Sequence, residues 1–584
     1  MSNYNKYPVI QISDSLSDCY VGWECITDQL IKHVENIDKP VKKIVIECYQ
    51  GVFEDEIKSA MSKAFGQAVI FHSKIGMHSE RYIDTFFKAD ITDDEIFGYL
   101  TRYKIDSFFD KERVLKLQQD INILQTGVLI VYGIGASYIC TDADVLIYAD
   151  MARWEIQNRF RTNKVNNIGV KNAHEKASLQ YKRAFFVDWR VCDRLKKQTM
   201  KKWDYVLDTN VIHEPKMITG KSLWNSLEKV VNQPFRVVPF FDPGPWGGQW
   251  MKEICDLKSD AQNYAWCFDC VPEENSLLLG FGEIKFEIPS IDVVFAYPVQ
   301  LLGAAVYGRF GDEFPIRFDL LDTMQGGNLS LQVHPLTEYI QEHFGMHYTQ
   351  DESYYILDSK KDAIVYLGLK DEADADAVIS KLKEAQVTRI FDAEAYIGTY
   401  PVAKHDHVLI PAGTVHCSGS NSMVLEISAT PYIFTFKLWD WGRMGLDGKP
   451  RPINISHGKN VIQWDRTETW VKKELLNRVD TIAKGDGWLE ERTGLHEREF
   501  IETRRHWFTK KVLHKNDAGV NVLNLVEGKQ VVVESPQGSF EPFVVHYAET
   551  FIIPATIKEY TITPCEENEN IKHATIKAYV RNHD

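Results

Sequence analysis

Four residues in the second half of the chain have the types and spacing to hold a metal ion. Gln332 and His334 sit two positions apart in Asn328-Leu-Ser-Leu-Gln-Val-His-Pro335. In a strand, residues i and i+2 point to one face, so both can reach a single ion while Leu331 and Val333 face the other way. Glu352, at the start of the apolar stretch Ser353–Leu357, can add a carboxylate from a neighbouring strand. His416 closes Ile410-Pro-Ala-Gly-Thr-Val-His416, where Pro411 and Gly413 make a tight turn that presents the imidazole inward. Imidazole, carboxylate and amide oxygen together suit Zn²⁺ with an open position, or Mn²⁺, Fe²⁺ or Co²⁺. A cation held this way stabilises negative charge developing on a substrate oxygen. His343, His347, His405 and His407 lie nearby and read as solvated loop histidines rather than ligands.

These ligands need a β framework. Short alternating strands are expected at Ile284–Phe286, Leu329–Val333, Tyr354–Leu357, Ala363–Leu367, Val408–Ile410, Met423–Ile427 and 433–438, with one helix at Ala375–Ala385. Frequent Gly and Pro turns between them point to a β-sandwich or jelly roll. More strands follow at Asn521–Leu525, Gln530–Glu534 and Thr556–Ile562. The first part differs: strands at Val41–Ile46, Gly127–Tyr132 and Asp144–Ala149 alternate with helices at Glu54–Phe65 and Met151–Arg161, the pattern of βαβ units on a parallel sheet. Pro215, Pro234, Pro239, Pro243 and Pro245 mark a change of texture. The expected organisation is therefore an α/β domain over 1–215, a linker over 216–235, a metal-binding β domain over 236–465 with a helical insertion near 372–386, and a second β domain over 466–584.

Composition narrows the class. The chain has 584 residues, 44% of them apolar, enough for several buried cores. With 67 Lys+Arg against 82 Asp+Glu and a net charge of −15, it lacks the basic footprint of a nucleic-acid binder. No apolar run approaches the ~20 residues of a membrane span, and Met1-Ser-Asn-Tyr-Asn-Lys-Tyr7 has no basic flank leading into one. Ten scattered cysteines, with a single CxxC at Cys267 and Cys270, fit a reducing cytoplasm better than a disulfide framework.

At the metal residues the sequence resembles the type I mannose-6-phosphate isomerases, zinc-dependent cupin enzymes. The segments that carry the resemblance are Leu329–Pro335, Ile410–His416, Glu426-Ile-Ser428, Phe436-Lys-Leu-Trp-Asp-Trp-Gly-Arg443, Pro245-Trp-Gly-Gly248 and Pro315-Ile-Arg-Phe-Asp-Leu-Leu321. Phe543–Ala555 looks like the family's second, metal-free cupin half. The resemblance covers about 235–584 and implies one Zn²⁺ on Gln332, His334, Glu352 and His416, with Arg443 in the pocket for a sugar phosphate. It implies interconversion of mannose 6-phosphate and fructose 6-phosphate through a cis-enediol, which also needs an acid/base near neutrality. Glu426 is a candidate for that base or orients a ligand, while Arg443 offers a cationic fork for phosphate or developing charge and Lys437 is a weaker candidate for the same pocket. Two positions depart from the family: Gln350 and Arg317 stand where many members have Lys. That departure leaves open a sugar-phosphate-binding regulator with little turnover, or an isomerase of another hexose phosphate such as glucose 6-phosphate.

The stretch from Gly127 to Arg161 is similar to part of the uridine kinase-like nucleoside kinases, including a helix with Arg153, Arg159 and Arg161. A P-loop is missing: after Val41–Ile46 the chain reads Glu47-Cys-Tyr-Gln-Gly-Val-Phe-Glu-Asp-Glu56, with one Gly, no Lys and four acids. A degenerate kinase-like domain is expected, without phosphoryl transfer, that binds a regulatory nucleotide or sugar phosphate or holds subunits together. The three arginines read as a solvated helix face.

Overall fold

The computed structural model describes residues 2–13, 18–258, 260–429, 434–444, 451–494, 496, 498–565 and 571–581. Two compact units share the chain: 9–229 with 276–296, and 1–8 with 230–275 and 297–584.

In the first unit, Val41–Cys48 is an interior strand of a seven-stranded sheet. Its β-branched Ile44, Val45 and Ile46 are fully buried, as a strand covered on both faces requires. Gly127–Gly133 and then Val69–His72 pair parallel on one side, and Val145–Asp150 and then Tyr205–Asp208 on the other. Lys216–Thr219 and Cys19–Val21 complete the sheet antiparallel. Residues 216–230, expected as linker, are thus a strand and the helix Gly220–Val230. Pro215 comes just before this strand and helix, and the other prolines that suggested a break begin after the helix has ended.

The helix Arg153–Arg161 corrects the reading of its arginines. Arg153 and Arg159 are each 2% exposed; only Arg161 faces water. Arg159 donates from Nη1 to Gly51 O and from Nη2 to Thr209 O and Asn210 O, all within 3.0 Å, and Arg153 pairs with Asp193 at 2.6 Å. Guanidinium groups satisfied by carbonyls and a carboxylate can be buried; the sequence does not reveal such partners.

Ile284–Pro289 is a strand, as expected, but belongs with this α/β unit. It pairs with Ser276–Phe281, which pairs parallel with Val9–Ser13. The helix Ile291–Ala296 then supplies Asp292, whose Oδ1 lies 2.7 Å from Lys196 Nζ. That ammonium also donates to both oxygens of Asp150, and all three side chains are at most 1% exposed.

The second unit contains two β-sandwiches. One sheet of the first runs His407–Ile410, Glu352–Ser359, Ser422–Ser428, Arg317–Asp322, Trp266–Cys270, Phe240–Asp242; the facing sheet runs Ile397–Pro401, Ile364–Leu369, His416–Ser418, Leu331–Val333, Phe436–Trp439. The part of the expected 433–438 strand at 433 lies outside the described residues. The helix Ala375–Thr388 is inserted after the strand Ile364–Leu369, with Asp374 capping its N-terminus. The second sandwich faces Asp480–Gly485, Trp488–Gly494, Ile501–Phe508, His573–Val580, Asn521–Glu527, Thr550–Ile553 against Val512–Lys515, Glu559–Pro564, Gln530–Glu534, Phe543–His546. Phe508, Leu523 and Leu525 from one sheet meet Val531, Val533 and Ile562 from the other in its core. Among the described residues, no helix is long and apolar enough to cross a membrane.

Candidate metal centre

Register builds the centre. Gln332 is paired with His416 on one side and with Lys437 on the other. Opposed residues of antiparallel strands share a face, so one cross-strand row presents an imidazole, an amide and an amine. His334 joins two positions further on. On the facing sheet, Glu352 is opposite Ser428 and Ser428 opposite Arg317; the next row is Tyr354, Glu426 and Asp319. The two walls meet at Glu352. His334 Nε2 lies 3.0 Å from its Oε2, and His416 Nε2 lies 2.8 Å from its Oε1.

The donor set fits a divalent cation. His334 Nδ1 is 2.8 Å from Phe434 O and His416 Nδ1 is 2.8 Å from Thr414 O, so each proton is held by a carbonyl and each Nε2 lone pair is turned to the centre. Neither His334 Nε2 nor Glu352 Oε1 makes a hydrogen bond of acceptable geometry, although both are buried. Two imidazole lone pairs facing a carboxylate leave a place for positive charge. Gln332's amide is 3.3 Å from His416 Nε2, and half a turn of that amide brings its oxygen there. Among the described residues, His334, Glu352 and His416 are the one group of three such ligands close enough to share an ion.

The surrounding charges are strongly perturbed. Burial pushes the Glu352 carboxyl up, but the positive charge that His334 and His416 carry when protonated, in the place a cation would take, outweighs it and holds it well below the usual range. Glu426 goes the other way: burial, then Glu352 and Asp319, raise it well above the usual value, with Arg317 opposing. Gln350 Nε2 donates to Glu352 at 2.7 Å and to Glu426 at 3.3 Å, while its Oε1 accepts from Phe434 N. Arg317 is buried against Asp319 at 2.7 Å. Lys437 is brought down from 10.5 to about 7, by burial first and then by Arg451. Arg443 stands on Asp440: its Nη2 donates to Oδ1 at 2.7 Å, its Nε to the carbonyl, and its Nη1 to Asn328 O at 2.5 Å. Arg451 shares the same carboxylate at 2.9 Å.

The structure thus brings together Gln332, His334, Glu352, His416, Glu426 and Lys437, and sets Arg443 in the arginine pair on Asp440. Sequence reasoning missed Arg451, Asp440 as the anchor of both arginines, and Asp319 as Arg317's partner. The i, i+2 spacing of Arg317 and Asp319 was the available signal for the last. His343 and His347 are exposed. His407 is not: it is completely buried, and burial, followed by Arg505, lowers it to about 3. His405 is partly buried between Tyr355 and Glu527. Cys267 and Cys270 are buried free thiols.

Residues 22–232 match a family described as a domain of unknown function (DUF8485). The chain is 26% identical over 242 residues to the mannose-6-phosphate isomerase ManA of Bacillus subtilis, covering 40% of this chain and 69% of that protein. It is 24% identical over 244 residues to the mannose-6-phosphate isomerase of Streptococcus mutans, covering 41% and 72%. The crystal structure of the mannose 6-phosphate isomerase from Bacillus subtilis compares with a TM-score of 0.49 at 18% identity, covering 59% of this chain and 99% of that one.

Proposed function

We propose that the protein is a metal-dependent aldose–ketose isomerase that interconverts mannose 6-phosphate and fructose 6-phosphate. The observation that carries the reading is the buried convergence of His334, Glu352 and His416, with Gln332 and Lys437 in the adjoining row. Curated relatives named for this activity support it. Gln332, His334, Glu352 and His416 would hold the cation, Zn²⁺ by donor type, which when bound supplies Lewis acidity to the sugar oxygens.

The chain's own groups move the protons. Lys437 Nζ, with a pKa of about 7, alternates between amine and ammonium near neutral pH and can carry a proton between C1 and C2 of the enediol. Glu426, whose carboxyl is raised by burial and by Glu352 and Asp319, can give a proton to a sugar oxygen and take it back. Gln350 fixes the carboxyl groups of Glu352 and Glu426 relative to each other. Arg443, oriented by Asp440, is the cation for the substrate phosphate. On the same footing we read both sandwiches as cupin-type folds, the second metal-free, divided near 465, and the α/β unit as a degenerate nucleoside kinase-like fold.

Gln350 and Arg317 favour a second reading, a sugar-phosphate-binding protein of little turnover, because neither an amide nor a permanently charged guanidinium replaces an ionisable lysine in proton transfer. The test is fructose 6-phosphate formation from mannose 6-phosphate by protein stripped of metal and reloaded with Zn²⁺. Turnover is expected only after reloading, and not in His334→Ala. Metal bound without turnover would favour the second reading, and faster conversion of glucose 6-phosphate would assign another substrate.

A further inference from the structure

Ligands of open α/β sheets bind beyond the carboxyl ends of parallel strands, where neighbouring connections leave in opposite directions. Here that place lies between Val41–Cys48, whose connection runs toward Val69–His72, and Gly127–Gly133, whose connection runs toward Val145–Asp150. A cleft of about 800 Å³ opens there, bounded by residues 51–55, 72–81, 134 and 164–171. Its size suits a small organic ligand.

The first strand-to-helix turn, where such folds hold phosphate, and the turn after Gly127–Gly133 are both filled by the protein itself. After Val41–Cys48, the loop is packed down: Gln50 is completely buried, accepting from Trp189 Nε1 at 3.0 Å and donating to Asn166 O at 2.9 Å. Gly51, at φ +97, has no room for a Cβ, since Ile156 would be 2.9 Å away. At the second turn, the backbone N–H groups of Gly135 and Ser137 donate to the Glu47 carboxylate at 2.6 and 2.8 Å. An internal carboxylate takes the anion's place.

The cleft nevertheless holds unspent positive charge. Of its acids, Glu54 accepts from Ile134 N and pairs with His72 at 2.9 Å, and Glu80 lies 3.5 Å from Lys171. Among the described residues, Lys74, Arg81 and Lys164 meet no carboxylate, against one unpaired acid, Asp55. Val52, Met77, Ile168 and Val170 give the same cleft an apolar lining. Glu54, Asp55 and Glu56 occupy the first turn of the helix Glu54–Ala64, so a polyanion is repelled there and the negative group belongs with the lysines.

We propose that this cleft binds a small phosphomonoester, its phosphate on Lys74, Arg81 and Lys164 and its body on the apolar lining. The site is independent of the isomerase reading. Calorimetric titration of the full chain carrying His334→Ala, which disables the metal centre, tests it with AMP, UMP, mannose 6-phosphate, inorganic phosphate and ATP. At least one monoester is expected to bind more tightly than inorganic phosphate and ATP. Adding Lys74→Ala and Lys164→Ala should weaken it by about tenfold or more, the worth of a charge-assisted contact. Both lysines are exposed, so the thermal midpoint should not move. A nucleotide or a sugar phosphate as the tighter ligand identifies the body. No monoester binding at millimolar concentration, binding indifferent to the two lysines, or ATP as the tightest ligand would each overturn the proposal.

Discussion

The two sandwiches of the second unit both bury histidines, acids and a lysine between their sheets, and they use them differently. In the first, a carbonyl holds the Nδ1 of each histidine and both Nε2 atoms face one carboxylate. In the second, His506 is paired across strands with Glu490 and reaches it at 3.2 Å, while its Nδ1 has no hydrogen-bond partner. His514 stacks on Tyr560 with rings 4.9 Å apart, and among the described residues neither of its nitrogens has a hydrogen-bond partner. Burial pushes His506 down to about 4 and His514 well below its usual value, so both rings are neutral. Burial alone does not make a histidine a ligand; what fixes its other nitrogen, and whether the free lone pairs converge, does.

Removing one imidazole from each sandwich should separate them most. His334→Ala is expected to lose its divalent metal and to lower turnover by more than about 100-fold, a scale that even outer partners of ligands can reach. His514→Ala should change neither, and metal analysis with initial rates would expose a His334→Ala protein that keeps its ion and breaks the comparison. Next comes the lysine. Lys437→Met should lower turnover by about 10²–10⁴-fold. In the native chain kcat/KM should rise with pH through about 7, as the Lys437 ammonium becomes an amine, and the variant should lack that limb. Because the folded pKa is depressed, the unfolded chain holds a proton that the folded one has lost between about 7 and 10.5, so this lysine makes stability rise with pH across that window. Lys577 of the second sandwich, at about 8, does the same over a narrower range, and denaturant titrations of Lys437→Met and Lys577→Met at several pH values would tell them apart. Arg443→Lys, which loses the fork held on Asp440, should raise KM about tenfold with kcat little changed; an unchanged KM would remove Arg443 from phosphate binding. The smallest effect is expected from His514→Phe. Replacing an unpartnered buried imidazole with an apolar ring should leave stability level or raise it by about 1 kcal/mol, read as the thermal midpoint.

The metal residues were legible because their signals are local. The two-residue period of a strand aligns Gln332 with His334, and Pro411 with Gly413 announces the turn before His416. Val41–Ile46, through its apolar Ile44-Val-Ile46, and the continuous apolar Gly127–Tyr132 were legible as strands. The sheet that holds Ile284–Pro289 was not, since beyond the adjacent Ser276–Phe281 it is completed by Val9–Ser13 from the far end of the chain and the hydrophobic pattern does not name partners. Lys437 could not be assigned a face because the register shifts between Leu331 and Gln332 in the pairing that positions it. His407 looked like a loop residue, but it starts a strand between Glu352–Ser359 and an isolated bridge at Val408. Arg153 and Arg159 looked solvated because, Glu155 apart, their carboxylate and carbonyl partners come from a distant helix and distant loops.

The chain leaves the α/β unit after 229, returns at 276 and departs again after 296. A fragment made by cutting once in the Pro-rich stretch would therefore contain Lys196 and Asp150 but not Asp292, and Val9–Ser13 without the strand beside it. Recombinant or evolutionary transfer of this unit needs two cuts and a splice, joining 9–229 to 276–296. The match to the domain family ends at 232, so the returning segment lies outside it, and that return makes the two units inseparable as plain stretches of gene.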